Sequence, residues 1–270
     1  MKKIIILFLA FAPFLAFTQN ILMTFHNGSF ASIFLNIPGI MNPNLSPKSI
    51  SGVSLDVGQD RYKIRTGDPN GINKWYMGRQ IAQVMSHFGI DWLERDEREM
   101  EENTSLLLKN LAVKPGMVIA DIGAGSGYHS VVLSKMVGNG KVFAVDVEPE
   151  MITYLSERIK QGKLSRIVPV LSTEQKVSLP ENTVDMMLLV DVYHEFSYPY
   201  EMALSMLAAL KPGGKLVLVE FRSEDLTVPI KTIHKMSKPQ AIKEFKAEGF
   251  TFDKNIDNLP WQHCMVFTKY

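Results

Sequence analysis

The chain has 270 residues, 46% hydrophobic and 21% charged, with a formal net charge of +1. This length and composition suit one sizeable globular core with extensions, and the near-zero charge gives no whole-chain electrostatic case for nucleic acid or anionic lipid. The single cysteine, Cys264, excludes a disulfide framework and a cysteine-rich metal site.

In chain order, Lys2 and Lys3 precede an apolar run from Ile4 to Phe17. Residues 1–18 read as a secretory signal peptide or an N-terminal anchor, with cleavage near Thr18–Gln19; a mis-assigned start codon is the other reading. The run is shorter than the about 20 apolar residues of a transmembrane helix. The expected location is exported, periplasmic or membrane-anchored, with membrane association through the N-terminus; without a real signal it is cytoplasmic. Residues 19–72 hold many Asn, Ser, Gly and Pro and no sustained period, so they are expected to form a poorly ordered linker. In residues 73–111, Trp75, Ile81, Val84, Met85 and Phe88 recur at helical spacing. A charged run, Glu94 to Glu102, then precedes Leu106, Leu107, Leu108 and Leu111. This predicts a helical extension of two helices, with the acidic run a solvated face.

Residues 112–270 alternate strand and helix patterns. Strands are predicted at Val118 to Ile122, Lys141 to Val147, Ile167 to Leu171, Val184 to Val190, Lys215 to Phe221, Phe250 to Lys254 and His263 to Thr268. Helices are predicted at Tyr128 to Met136, Pro149 to Lys160, Pro199 to Leu210 and Pro239 to Glu248, three of them opened by proline. Val184 to Val190 is apolar throughout, as suits a strand buried on both faces. Repeated β-α units at this spacing imply an α/β fold with a doubly wound, mostly parallel sheet.

Asp121-Ile122-Gly123-Ala124-Gly125-Ser126-Gly127 joins the first of these strands to the first helix. Glycines there let a ligand approach the backbone, and the next helix directs its N-terminal amides at it. The glycines fall at 123, 125 and 127, not in the G-x-G-x-x-G spacing of a dinucleotide site, and residue 128 is Tyr. Asp121 suits the ammonium of an amino-acid moiety and would repel a pyrophosphate. Asp146 ends the second strand, where a carboxylate can take both ribose hydroxyls of an adenosine.

With these motifs and the Leu210-Lys-Pro-Gly-Gly214 turn, the sequence from about 104 to 270 resembles the class I S-adenosylmethionine (SAM)-dependent methyltransferases. The resemblance implies a Rossmann-like, seven-stranded, mostly parallel sheet and SAM as cofactor. The cofactor residues it implies are Asp121, Gly123, Ala124, Gly125 and Gly127 in the loop, and Asp146 with Val147 at the ribose. Glu174, in the Ser172–Gln175 stretch, is expected near the adenine and Asp191 near the cofactor.

Ligands of open α/β sheets bind beyond the carboxyl ends of the strands. After the fourth strand lies Asp191-Val-Tyr-His-Glu-Phe196. His194 is a candidate general base, with Glu195 orienting it or gripping a substrate donor; alternatively His194 only hydrogen-bonds within its loop. Tyr193, Arg222, Lys231 and His234 are candidates for contact with a polar or anionic acceptor, against a solvated or internally paired loop. Tyr76 and Arg79 are candidates on a lid before the core. No metal site is expected, since the six histidines are dispersed and no H-x-x-x-H or cysteine pair occurs. Asp191 and Glu220 alone do not make the acid cluster of a catechol-type, metal-dependent enzyme. No basic stripe interleaved with aromatics supports nucleic-acid binding.

The leading reading is a methyltransferase acting on a small molecule, lipid-like or quinone-like given the aromatic and methionine content. An NAD(P)-dependent oxidoreductase on a related sheet is disfavoured by the glycine spacing and Asp121. A SAM-binding protein that transfers no methyl group is the third reading, and label transfer from SAM separates it from the first.

Overall fold

The structure is a computed structural model that describes residues 21–26, 29–35 and 61–270. The expected signal or anchor at residues 1–18 lies outside the described residues. Among the described residues, no helix is long and apolar enough to cross a membrane. The chain divides into two compact units, Met1–Val57 and Gly58–Tyr270.

In the first unit, β1 (Ile21–His26) and β2 (Ser29–Leu35) pair antiparallel, with an irregularity between Thr24 and Phe25. A loose linker was expected there; both segments are instead rich in the β-branched and aromatic residues that favour strands.

The second unit opens with a three-stranded antiparallel sheet of β3 (Tyr62–Ile64), β4 (Gly71–Tyr76) and β5 (Arg79–Ala82). A helix was predicted through this stretch. Met77 and Gly78 instead take positive φ, 46° and 107°, and close a two-residue hairpin. That turn overrides the helical spacing of the apolar residues. Tyr76 and Ile81 are buried, whereas Val84, Met85 and Phe88 fall beyond the hairpin and are exposed. A 3-10 turn at His87–Gly89 leads into three short helices, α1 (Ile90–Leu93), α2 (Arg98–Glu102) and α3 (Thr104–Asn110).

The predicted α/β alternation follows. The elements are β6 (Val118–Ile122), α4 (Tyr128–Met136), β7 (Lys141–Asp146), α5 (Pro149–Gly162), β8 (Ile167–Leu171) and β9 (Val184–Val190). Then come α6 (Pro199–Ala209), β10 (Leu210–Phe221), α7 (Lys238–Ala247), β11 (Thr251–Asn255) and β12 (Gln262–Thr268). The seven strands order as β11-β12-β10-β9-β6-β7-β8, with β12 antiparallel to both its neighbours and the other pairs parallel.

Alternation along β9 divides the core. Met187 and Leu189 pack with Met202 and Met206 of α6 and Phe245 of α7. Met186 and Leu188 pack on the opposite side with Leu107, Leu133 and Val137. A strand buried on both faces therefore needs its unbroken apolar run.

The hairpin is joined to the sheet domain through a buried polar cluster. Arg79 donates to Glu244 from Nε at 2.8 Å and from Nη2 at 3.1 Å. Tyr193 donates to Glu244 Oε2 and Tyr76 to Glu248 Oε1, each at 2.8 Å. Removing one partner of such a buried pair costs about 3–5 kcal/mol, because the other charge is stranded.

Burial, with the Glu244 charge nearby, pushes the Glu248 carboxyl up to about 8. Because the folded-state value lies above the ordinary carboxylate value, folding takes up a proton between the two. This group therefore opposes folding increasingly as pH rises from the ordinary range to about 8, and by a constant amount above that. Glu248→Gln, neutral at every pH, is expected to melt progressively higher than the parent as pH is raised from 5 to 8, as read by thermal denaturation. Parallel melting curves for the two proteins across that range would contradict a buried, proton-holding Glu248.

Candidate functional site

Parallel pairing of β6 with β7 sets Ile122 opposite Val145, so the glycine loop and Asp146 leave the sheet side by side. Gly123 and Ala124 both donate their amides to Val145 O, at 2.8 and 3.0 Å. Asp146 Oδ2 accepts from the Gly125 amide at 2.8 Å, and Oδ1 accepts from the Glu148 amide at 2.9 Å. The carboxyl is nearly buried, and burial raises its pKa despite these donors. It is therefore a fixed acceptor at the bottom of a cleft.

That cleft is lined by Gly123, Gly125, Asp146, Val147, Glu174 and Asp191, all expected cofactor residues. Its apolar lining includes Met151, Phe196 and Met202. Three expected residues lie behind it. Asp121 is buried, its Oδ2 accepts from Ser130 Oγ at 2.7 Å, and burial pushes its carboxyl up to about 6. Ala124 packs with Ala144 and Leu155. Gly127 has φ 83°, and a Cβ there would stand 2.4 Å from Leu155 Cδ1. Asp121, Ala124 and Gly127 thus shape the loop from beneath rather than line the cleft.

The opposite wall comes from the segment after the hairpin, through Val84, Met85 and Leu93. Leu93 seats on the glycine loop: a Cβ on Gly125 would lie 2.7 Å from its Cδ1. Glu94 fixes this wall by accepting from Ser126 Oγ and from Arg158. A fixed carboxylate, a glycine loop at the start of α4 and an apolar flank fit a nucleoside joined to an amino acid. Asp191 Oδ2 accepts from Gln262 Nε2 at 2.6 Å, while its buried Oδ1 has no partner among the described residues. Burial, then the charges of Glu102 and Glu220, hold the Asp191 carboxyl well above the ordinary range. That oxygen suits the cationic part of such a ligand.

A second cleft adjoins the first and shares Met85, Leu93, Val190, Asp191 and Glu195 with it. Its remaining walls carry Trp92, Phe221, Pro229 and Ile230, with His194, Lys231 and His234 among the polar groups. His194 Nδ1 lies 2.7 Å from Glu220 Oε2, and its amide donates to Glu220 Oε1 at 3.2 Å. With Nδ1–H donated to that carboxylate, Nε2 is the free nitrogen and faces His234 Nδ1 at 3.2 Å. Burial disfavours a charged His194, but Glu220 and Glu195 outweigh it and raise its pKa. Burial pushes the Glu195 carboxyl up to about 7. Burial, with the charges of His194 and Lys231, pushes His234 down to about 4.

Several expectations are corrected. Glu220, not Glu195, orients His194; the signal was an acid at the end of a buried strand. Glu195 Oε1 stands 3.8 Å from His194 Nε2, and Oε2 accepts from the Met85 amide. Tyr76, Arg79 and Tyr193 belong to the buried cluster with Glu244 and Glu248 and line neither cleft. Arg222 donates to the carbonyls of Leu259 and Pro260 and to Asp257, so it braces a loop. Lys231 and His234 do line the cleft. The acidic run is not all solvated: Arg98 and Glu102 are buried, paired at 2.8 Å, and line the same cleft.

Residues 120–218 match the methyltransferase domain family. The chain is 31% identical over 116 residues to a protein-L-isoaspartate O-methyltransferase of Methanopyrus kandleri, covering 42% of this chain and 49% of that protein. It is 27% identical over 137 residues to a ubiquinone/menaquinone biosynthesis C-methyltransferase of Laribacter hongkongensis, covering 50% of this chain and 54% of that protein. The chain thus spans about half the length of the curated relatives it matches. A SAM-dependent methyltransferase from Aquifex aeolicus superposes with a TM-score of 0.65 at 26% identity, covering 69% of this chain and all of that one.

A ribose bound at Asp146 would lose charge-assisted hydrogen bonds when that residue is replaced. Asp146→Ala is expected to weaken SAM binding by about 1.5–3 kcal/mol, roughly a tenfold to hundredfold rise in Kd by calorimetry. Unchanged affinity in a variant that melts normally would remove the ribose assignment. Sheet order, cleft and family match agree: this chain carries a class I SAM-dependent methyltransferase domain, with SAM as its cofactor.

Proposed function

We propose that the protein transfers a methyl group from SAM to a small, largely apolar acceptor with an ionisable hydroxyl, of lipid-like or quinone-like character. The observation that carries this reading is the junction of the two clefts, where Asp191 and Glu195 line both and His194 lines the second. An acceptor among Trp92, Phe221, Pro229 and Ile230 would present its polar end toward His194.

SAM supplies an electrophilic methyl group on a sulfonium that is already a good leaving group. The protein's main task is then alignment of acceptor and methyl. Asp146 and the glycine loop fix one partner, and the walls of the second cleft hold the other. Transfer to a hydroxyl would form the oxygen–carbon bond as the carbon–sulfur bond breaks, with the electron pair left on sulfur. The hydroxyl proton passes to His194 Nε2. Glu220 keeps that nitrogen free and stabilises the imidazolium that results. Met85 and Leu93 border both clefts and so flank the path between the two bound partners.

The curated relatives include a methyltransferase of isoaspartate in proteins and one of quinone biosynthesis. A cleft roofed by residues of the 84–102 segment favours a small acceptor over a folded protein. With methyl-labelled SAM and a cell-envelope extract, label is expected in the organic-soluble small-molecule fraction. Label confined to protein, or SAM binding without label in any fraction, would overturn the proposal. His194→Ala is expected to lower turnover about 10²–10⁴-fold with SAM affinity little changed. Unchanged turnover in that variant would reject proton transfer to His194.

A further inference from the structure

His194 and His234 lie 40 positions apart in sequence, yet their ring nitrogens meet. His194 Nε2 and His234 Nδ1 are 3.2 Å apart, and Glu195 Oε1 stands 3.8 Å from the first and 3.7 Å from the second. Three possible donor atoms from two loops thus lie within 4.8 Å of one another, on residues that all line the second cleft. We propose that His194, Glu195 and His234 form a binding site for a divalent transition-metal ion of the zinc type.

The spacing matches that ion. Zinc bonds to nitrogen and oxygen of about 2.0–2.2 Å, at tetrahedral angles, set neighbouring donors roughly 3.3–3.5 Å apart. The observed triangle, with sides of 3.2, 3.7 and 3.8 Å, brackets that range. Two imidazoles and one carboxylate select zinc-like ions over magnesium and calcium, which prefer all-oxygen shells. The outer shell is also present. Glu220 binds the far nitrogen of His194, and the Met85 amide holds the other Glu195 oxygen, so Nε2 and Oε1 are the atoms left for an ion. Glu195 and Glu220 are both buried beside His194, so a carboxyl group stands on each side of the ring that would meet the ion. Lys231 lines the same cleft but donates its Nζ to Asn70.

Three protein donors leave a fourth position for water or an acceptor oxygen, the arrangement of catalytic rather than structural zinc. With an ion bound, the His194 nitrogen would be a ligand rather than a base, and an acceptor hydroxyl at the fourth position would be acidified enough to give its proton to solvent water, whereas in the metal-free protein that proton goes to His194. This deepens the reading of the acceptor cleft, but its test does not depend on methyl transfer.

The test uses the full chain, stripped with a chelator and titrated with zinc against a chromophoric competitor, with cobalt(II) as a spectroscopic probe. One equivalent is expected to bind, with the intense visible absorption of tetrahedral cobalt. His234→Ala, at a partly exposed position, and Glu195→Gln are each expected to weaken binding more than about 100-fold. Glu220→Gln, in the outer shell, is expected to cost roughly 10–100-fold. His87→Ala probes the other cluster of such groups, His87 with Glu148 and Glu150, and is expected to leave affinity unchanged. Circular dichroism melting and calorimetry with SAM verify that each variant folds and keeps its cofactor site. Absence of stoichiometric zinc, unchanged affinity in His234→Ala and Glu195→Gln, or loss only in His87→Ala would overturn the site. The His194–His234 contact would then be a hydrogen bond carrying a proton. Loss of methyl transfer with zinc affinity intact would count against the proposed function alone.

Discussion

The molecule depends on parallel pairing between β6 and β7. That register sets two strand ends level, so the Gly125 amide reaches the Asp146 carboxylate. A carboxylate held by backbone amides needs no reorganisation to receive ribose hydroxyls. The same pairing requires the loop to turn sharply: Gly123 takes φ 70°, and a Cβ there would lie 2.3 Å from Val192 Cγ2. Glycine is thus fixed at 123 by the protein's own packing as well as by a ligand's approach.

The walls of both clefts are added around this frame. The segment after the hairpin and the short helices supply the outer walls of both clefts, and α7 anchors the hairpin through Arg79 and Glu244. Buried polar pairs of this kind contribute little net stability but penalise every arrangement that separates them. Met85 and Leu93, which border both clefts, follow in the chain directly from this anchored hairpin. Glu94, bound to both Ser126 and Arg158, secures the same wall at the glycine loop.

The α/β part was largely legible because its signals are local. The glycine spacing, the unbroken apolar run of β9 and the prolines that open α5 and α6 each act within a few residues of where they stand. The hairpin at Met77–Gly78 was not legible, since methionine is a rare residue at positive φ and the surrounding apolar residues happened to repeat at helical spacing. Nor were the pairings of His194 with Glu220 and with His234, which arise only when β9, β10 and the loop after β10 converge. Arg79 and Arg222 looked like substrate groups because exposed and buried arginines read alike in sequence. Only the positions of Glu244 and of the Leu259 and Pro260 carbonyls reveal what they hold.

The central claim is that the cleft between the glycine loop and Asp146 is built for an adenosine attached to an amino acid. Calorimetric titration of the full chain with SAM, S-adenosylhomocysteine and NAD tests this most directly. The account predicts one binding site for each of the first two and no measurable heat from NAD. Tighter binding of NAD than of SAM would contradict it.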